Sequence, residues 1–459
     1  MYRLVSVCSL VVLAVILTGR VPKKSSGEAA SIGANSGRGR QKLQTQRESL
    51  LFDTPPFLTA FLQVEERRSA VFGGDSIPLG NIRSANFPRE KTLQNIQRAI
   101  RPSEALLSIH TGQATSYLWA VTRNHFEFHR LAPEIKLLAL ARQFRSAVEH
   151  NAANRDELGA GLYQSIFGGL SANIERKPQW LILADDALFD TPFAALAVGK
   201  KKGNPVYLME KHSTLRMTSA LLVTANSPLK PGSFLGVGDG VYNTADARWT
   251  ARGLRSTQNT GYSAQLPSLP GSRRELEACA REWRSGTPVL LTGFNASTAS
   301  FETAVEANPA VIHIAAHVVG APADPEQAVI RLGLAPSGQS EVIDQNEIAK
   351  YHLSGSTVVM NGCGSAALAP IPGTAISGLT RAWLKAGARA VIGSRWATPD
   401  DTGEIFQAFY GDLRIRCDRS AESRVVGASL THAQQVMLRS HTWRSNPSYW
   451  AAFYVAEKE

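Results

Sequence analysis

The hydrophobic rhythm of this chain changes twice along its length. Between residues 51 and 100 apolar and polar positions mix without a fixed period, punctuated by proline in "DTPP", "SIPLG" and "NFPRE"; only "KTLQNIQRAI" has helical spacing. Three strand-like runs follow, "ALLSIH", "SYLWAVT" and "HFEFHR". The last alternates strictly and turn residues separate all three, which predicts an antiparallel meander. Two helices come next, "EIKLLALARQFRSAVEH" and "RDELGAGLYQSIFGGLSANI". Then a βα rhythm sets in. Strand "QWLILAD" precedes helix "TPFAALAV", strand "SFLGVG" precedes helix "SRRELEACAREW", and "PVLLTG" precedes helix "STASFETAVEAN", which leads into "AVIHIAA". Strand "TVVMNG", helix "TAISGLTRAWLKAG", strand "ARAVIGSRW", two further helices and a final strand "YWAAFYVAE" complete the chain. Continuous apolar strands alternating with helices predict a central, mainly parallel sheet covered on both faces, preceded by the meander. No repeat of solenoid period interrupts the pattern.

The N-terminal 50 residues follow different rules. Residues 1–19 hold one basic residue and an uncharged, mostly apolar run from Leu4 to Gly19. That suits a signal-peptide core or a short membrane anchor, and it predicts membrane association or export; the side of the membrane stays open. Residues 20–50 read as a disordered basic arm. Between Arg20 and Arg47 it carries seven basic residues and one acid, so +6 of the net +11 lies there. No aromatics alternate with those charges, which argues against nucleic acid as a partner. Residues 51–100 form a lead-in, and 101–459 the main domain. The body has ordinary globular composition, 44% hydrophobic and 19% charged. The four cysteines, Cys8, Cys279, Cys363 and Cys417, form no C-x-x-C, so neither a zinc site nor a disulfide framework is indicated. Cys279 reads as a helix core residue and Cys417 as a loop thiol.

Two of the apolar strands end on reactive side chains. "VIHIAAHVVG" reaches His317 and "STVVMNGCGS" reaches Cys363. Ligand and catalytic sites of open parallel sheets gather outside the carboxyl ends of strands. A histidine there can hold a cysteine as thiolate or take its proton. Their separation, 363 − 317 = 46 residues, is near the roughly 50 of caspase-type enzymes. Gly362 and Gly364 flank the cysteine and allow a tight turn with backbone N–H groups available to an oxyanion. The alternative is two unremarkable polar endings of core strands. A shared metal is excluded by spacing, because in a strand His313 and His317 stand about 13 Å apart.

The ordered set of motifs resembles the CHAT peptidases, a caspase-like family related to separase. "VIHIAAHVVG" is similar to the family's His motif and "VVMNGCGSAAL" to its Cys motif. The likeness continues through "GTAISGLTRAWLKAGARAVIGSRWATPDDTGEIFQAFYGDL" and upstream through "WLILADDALFDTPFAAL" and "LPSLPGSRRELEA". The resemblance implies a caspase-like α/β fold and a cysteine endopeptidase acting on a protein or peptide substrate, with no cofactor or metal. Cys363 would be the nucleophile and His317 the general base, with the backbone N–H groups of Val318 and Cys363 holding the oxyanion. The W-x-x-x-D spacing from Trp396 matches an acid at the floor of the primary pocket, which assigns Asp400 to binding an arginine side chain, with Asp185 as a second acid. Asp400 or Asp401 could instead cap the helix that follows. Val318 stands where the family has glycine, and Ala316 where it often has Thr or Ser. That departure supports a rival reading, an inactive interaction module on the same fold; another acyl transferase or hydrolase using the same pair is a second.

Overall fold

A computed structural model describes residues 55–70, 88–185, 188, 190–223, 229, 231–252, 266–321, 324–362, 378–401, 403–419 and 424–457. Cys363, Cys8 and the run Leu4–Gly19 lie outside them. Among the described residues no helix is long and apolar enough to cross a membrane.

The meander forms as β1 (Glu104–His110), β2 (Ser116–Thr122) and β3 (His125–Leu131), paired antiparallel. It is not a separate layer, because β1 also pairs in parallel with β4 (Gln179–Ala184). β5 (Ala197–Lys201) and β6 (Asn204–Tyr207) make a separate hairpin, and β7 (Ser213–Met217) returns beside β4. A second parallel block holds β8 (Phe234–Gly240), β9 (Val289–Gly293) and β10 (Val311–Ala315). The chain then leaves the main sheet for β11 (His317–Ala321), β12 (Asp324–Leu334) and β13 (Ser340–Asp344), a small antiparallel sheet. It re-enters as β14 (Thr357–Met360) and β15 (Ala390–Ser394), and β16 (Phe453–Glu457) runs antiparallel to β15. The main sheet has eleven strands in the order β3-β2-β1-β4-β7-β16-β15-β14-β10-β8-β9.

Successive residues of the central strands enter different cores. Val358 and Met360 pack in one cluster with Leu379 and Trp383 of helix Gly378–Lys385. Val359 packs in the other with Phe406, Phe409 and Tyr410 of helix Glu404–Arg419. Alternation at a period of two, with both sets apolar, is what a sheet covered on both faces requires.

Several elements depart from the sequence expectation. The lead-in contains a helix, Pro55–Ala70, whose Phe61 and Leu62 are fully buried in the core under β1 and β2. "TPFAALAV" is a 3₁₀ turn at Phe193–Ala195 running into the β5–β6 hairpin, because Ala197 and Val198 are taken up by β5. "YWAAFYVAE" becomes a strand only at Phe453; Pro447–Trp450 is a helical turn capped by Asn446. Cys417 is in helix Glu404–Arg419, half-buried, rather than in a loop. Cys279 is fully buried in helix Pro270–Trp283, as its amphipathic setting predicts.

Candidate active site

β10 is buried at all five positions and held in parallel between β8 and β14. Beyond Ala315 the chain bends once, at Ala316, and His317 opens β11. The histidine is therefore the second residue past the carboxyl end of a central strand, and only 7% exposed. Its Nε2–H donates to the Pro267 carbonyl at 2.9 Å. A carbonyl can only accept, so the proton is placed on Nε2 and Nδ1 remains the basic nitrogen. The Tyr242 ring meets the imidazole edge-on, with centroids 4.8 Å apart, which fixes its plane.

β14 ends in the same corner. The Asn361 N–H extends the ladder to the Ile314 carbonyl at 2.8 Å. Gly362, the last described residue before Cys363, is wedged between two strand ends. Its carbonyl accepts from Ser394 Oγ at 2.9 Å. A Cβ added to it would stand 2.4 Å from the Ala316 carbonyl oxygen and 3.1 Å from Val318 Cγ2, so glycine alone fits. The residue before Cys363 thus touches the residues on either side of His317. The Val318 side chain is buried in the core with Ile330 and Ala316, so its bulk is directed away from the surface.

Under this corner lies a polar network that the sequence reading missed. Glu275, buried in helix Pro270–Trp283, accepts from both His313 Nε2 at 2.7 Å and Asn361 Nδ2 at 2.8–2.9 Å. His313 Nδ1 meets the Tyr410 hydroxyl at 2.9 Å, and Thr398 Oγ1 donates to Asn361 Oδ1 at 3.1 Å. The network ties β10, β14, the segment after β15 and two helices to one carboxylate. Its one sequence signal is a pair of polar residues, His313 and Asn361, in or just beyond otherwise apolar strands.

Asp400 lies beyond β15 and is exposed. Its Oδ2 accepts the Gly271 N–H at 2.9 Å, at the N-terminus of helix Pro270–Trp283, whose other end carries Trp283. The carboxylate therefore caps a different helix from the one the sequence suggests. Partial desolvation raises its pKa above the ordinary aspartate range, offset in part by the Gly271 and Ser272 amides. The neighbouring Asp401 has other duties: Oδ1 accepts from the Gly403 N–H at 2.8 Å, and Oδ2 accepts from Arg444 Nε and the Tyr449 hydroxyl, each at 3.0 Å.

Asp185 does not join this group. It follows β4, five strands from β10 in the sheet order, about 24 Å at ordinary strand spacing. Its Oδ1 accepts from Arg68 Nη2 at 2.6 Å and its Oδ2 meets His110 Nδ1 at 2.7 Å. Burial pushes this carboxyl up, but the Arg68 guanidinium and His110 outweigh burial and hold it well below the usual carboxylate range. An acid so fully paired serves the scaffold, and the structure does not bring it to Asp400 as the sequence suggests.

The CHAT domain profile matches residues 156–458. No curated protein sequence matches the chain. Among solved structures, separase in the Saccharomyces cerevisiae separase–securin complex superposes with a TM-score of 0.51 at 10% identity, covering 88% of this chain and 34% of that one. A second structure of that complex gives 0.46 with the same identity and coverage. The Arg-specific cysteine proteinase gingipain R gives 0.40 at 10% identity, with 69% of each chain covered. The chain thus spans about a third of the length of the separase chains it resembles. The fold likeness to separase and a profile match over most of the chain agree with the caspase-like sheet and its strand-end histidine: this protein belongs to the CHAT domain family.

Proposed function

We propose that the protein is a cysteine endopeptidase of caspase-like type. Cys363 supplies the nucleophile and His317 the general base and acid. The observation that carries this reading is the corner where Gly362 packs on Ala316 and Val318, one residue from Cys363, while Pro267 reserves Nδ1 of His317 as the free base. In the reaction the thiol proton passes to His317 Nδ1 and sulfur adds to the substrate carbonyl. The backbone N–H groups of Cys363 and Val318 hold the resulting oxyanion. The imidazolium returns the proton to the departing amine, leaving a thioester that water hydrolyses with the same histidine as base. Asp400, exposed and bonded to the Gly271 N–H four residues beyond Pro267, favours an arginine side chain before the scissile bond, because guanidinium matches carboxylate geometry better than ammonium does. The N-terminal run Leu4–Gly19 brings the chain to a membrane; fractionation of the full chain into the soluble pool with that run attached would refute this.

The test is a thiol-directed acyl probe together with a peptide library, applied to the wild type and to Cys363→Ala. Labelling and cleavage after arginine are expected for the wild type and neither for the variant. A wild type that takes the probe at Cys363 yet cleaves no member of the library would favour the interaction module. Labelling undiminished in Cys363→Ala would place the nucleophile elsewhere.

A further inference from the structure

Two arginines that take no part in this chemistry are buried together beneath β16. Arg216, on β7, is 6% exposed, and Arg395, the residue after β15, is 4% exposed. Both guanidinium groups sit over the ring of Tyr454, with Cζ at 5.4 Å for Arg216 and 4.8 Å for Arg395. Both also line a largely enclosed cavity of about 20 Å³, closed by Phe193, Leu430 and Gln434.

Among the described residues Arg395 makes no direct ion pair. Its Nη1 donates to the carbonyls of Ala451 and Phe453, each at 3.1 Å, and to that of Ala452 at 3.4 Å, all of them neutral acceptors. Its Nε–H is buried and has no hydrogen-bond partner. Arginine cannot shed its proton to escape such a site, so both positive charges persist at neutral pH. Burial lowers both, Arg216 to about 10, and the two arginines repel each other. The acid nearby is Asp190, whose carboxylate feels Arg145, Arg395 and Arg216 together, so one negative charge serves three guanidinium groups. An uncompensated buried cation is destabilising by several-fold more than a buried neutral group.

We propose that the cavity binds a small monovalent anion of chloride size between Arg216 and Arg395, with the Nε–H of Arg395 as one donor. The cavity has room for an ion of chloride size. The site is independent of the peptidase reaction. It also fixes the main chain where it leaves β15 toward Trp396 and Asp400, since the Arg395 carbonyl is held by Arg145 Nη2 at 2.8 Å.

The full-length chain is melted in chloride and in gluconate at constant ionic strength. Chloride should raise the melting temperature saturably, by roughly 2–4 °C over a hundredfold rise in concentration above its dissociation constant. Bromide should replace chloride, and Arg395→Met should abolish the dependence while Arg395→Lys retains part of it. If Arg395→Met does not fold, a bromide soak of wild-type crystals decides, through an anomalous peak in the cavity. A melting temperature indifferent to chloride, the same dependence in Arg395→Met, or an empty cavity at high bromide would each overturn the proposal.

Discussion

Two acid–histidine pairs stand past strand ends in this molecule, and they behave oppositely. At the first, His110 ends β1 and Asp185 follows the adjacent β4. Arg68, 4% exposed, reaches in from the lead-in helix and binds Asp185, Glu65, the Ser108 hydroxyl and the Ile109 carbonyl at once. The group is closed, and its acid is held ionised. At the second, His317 follows β10 and Asp400 follows β15, with no cation in direct contact with Asp400 among the described ion pairs. That histidine spends one nitrogen on a neutral carbonyl, and the acid is exposed with its pKa raised rather than lowered. Position at a strand end is therefore not enough to mark a site. What separates the two is whether a buried cation has already consumed the carboxylate.

Five substitutions test that contrast. The largest effect is expected from His317→Ala, which should lower the rate of peptide cleavage by about 10²–10⁴-fold without moving the melting temperature appreciably. His110→Ala should leave cleavage unchanged; matching losses from both would erase the distinction between the two ends. Arg68→Met should cost about 3–5 kcal/mol of stability, because it strands two buried carboxylates, as read by urea unfolding. Thiol labelling per folded molecule should not change in that variant, and a selective loss of labelling would link the first group to the active site.

Asp400→Asn should reduce kcat/KM for arginine substrates about tenfold, or about 1.4 kcal/mol, with probe labelling intact. A library preference unchanged by the substitution would remove Asp400 from the pocket. The smallest effect is in the pH dependence of stability. Asp185 is depressed in the folded state, so its contribution is present above about pH 4, the unfolded value, and is lost as pH falls through the folded one. Asp400 is raised, so its contribution has the opposite sign, present below the unfolded value and lost as pH rises through the folded one. Asp185→Asn should flatten the acid limb of a melting-temperature profile, whereas Asp400→Asn should slightly raise stability near neutrality. Acid limbs unchanged by Asp185→Asn would mean that Arg68 does not hold the carboxylate as described.

Much of this protein was determined by the sequence itself. Apolar runs such as "VIHIAA" and "TVVMNG" specify buried parallel strands because every position must face a core, and a period of two or of 3.6 is a local property of the backbone. For the same reason His317 could be placed at a strand end, and Cys363 just past a strand, before any contact was known. The tertiary structure decided which polar residues meet. "VEERRSA" lies in a lead-in where the sequence shows no fixed period, yet it is helical with Glu65 and Arg68 buried, and Arg68 meets Asp185 at a separation of 117 residues. Likewise the Pro267 carbonyl that sets the tautomer of His317 comes from 50 residues away. "ADD" and "ATPDD" are alike as strings. They differ in their surroundings because charge pairing acts through space over a few ångströms, and no local period records which distant side chain the fold will bring that close.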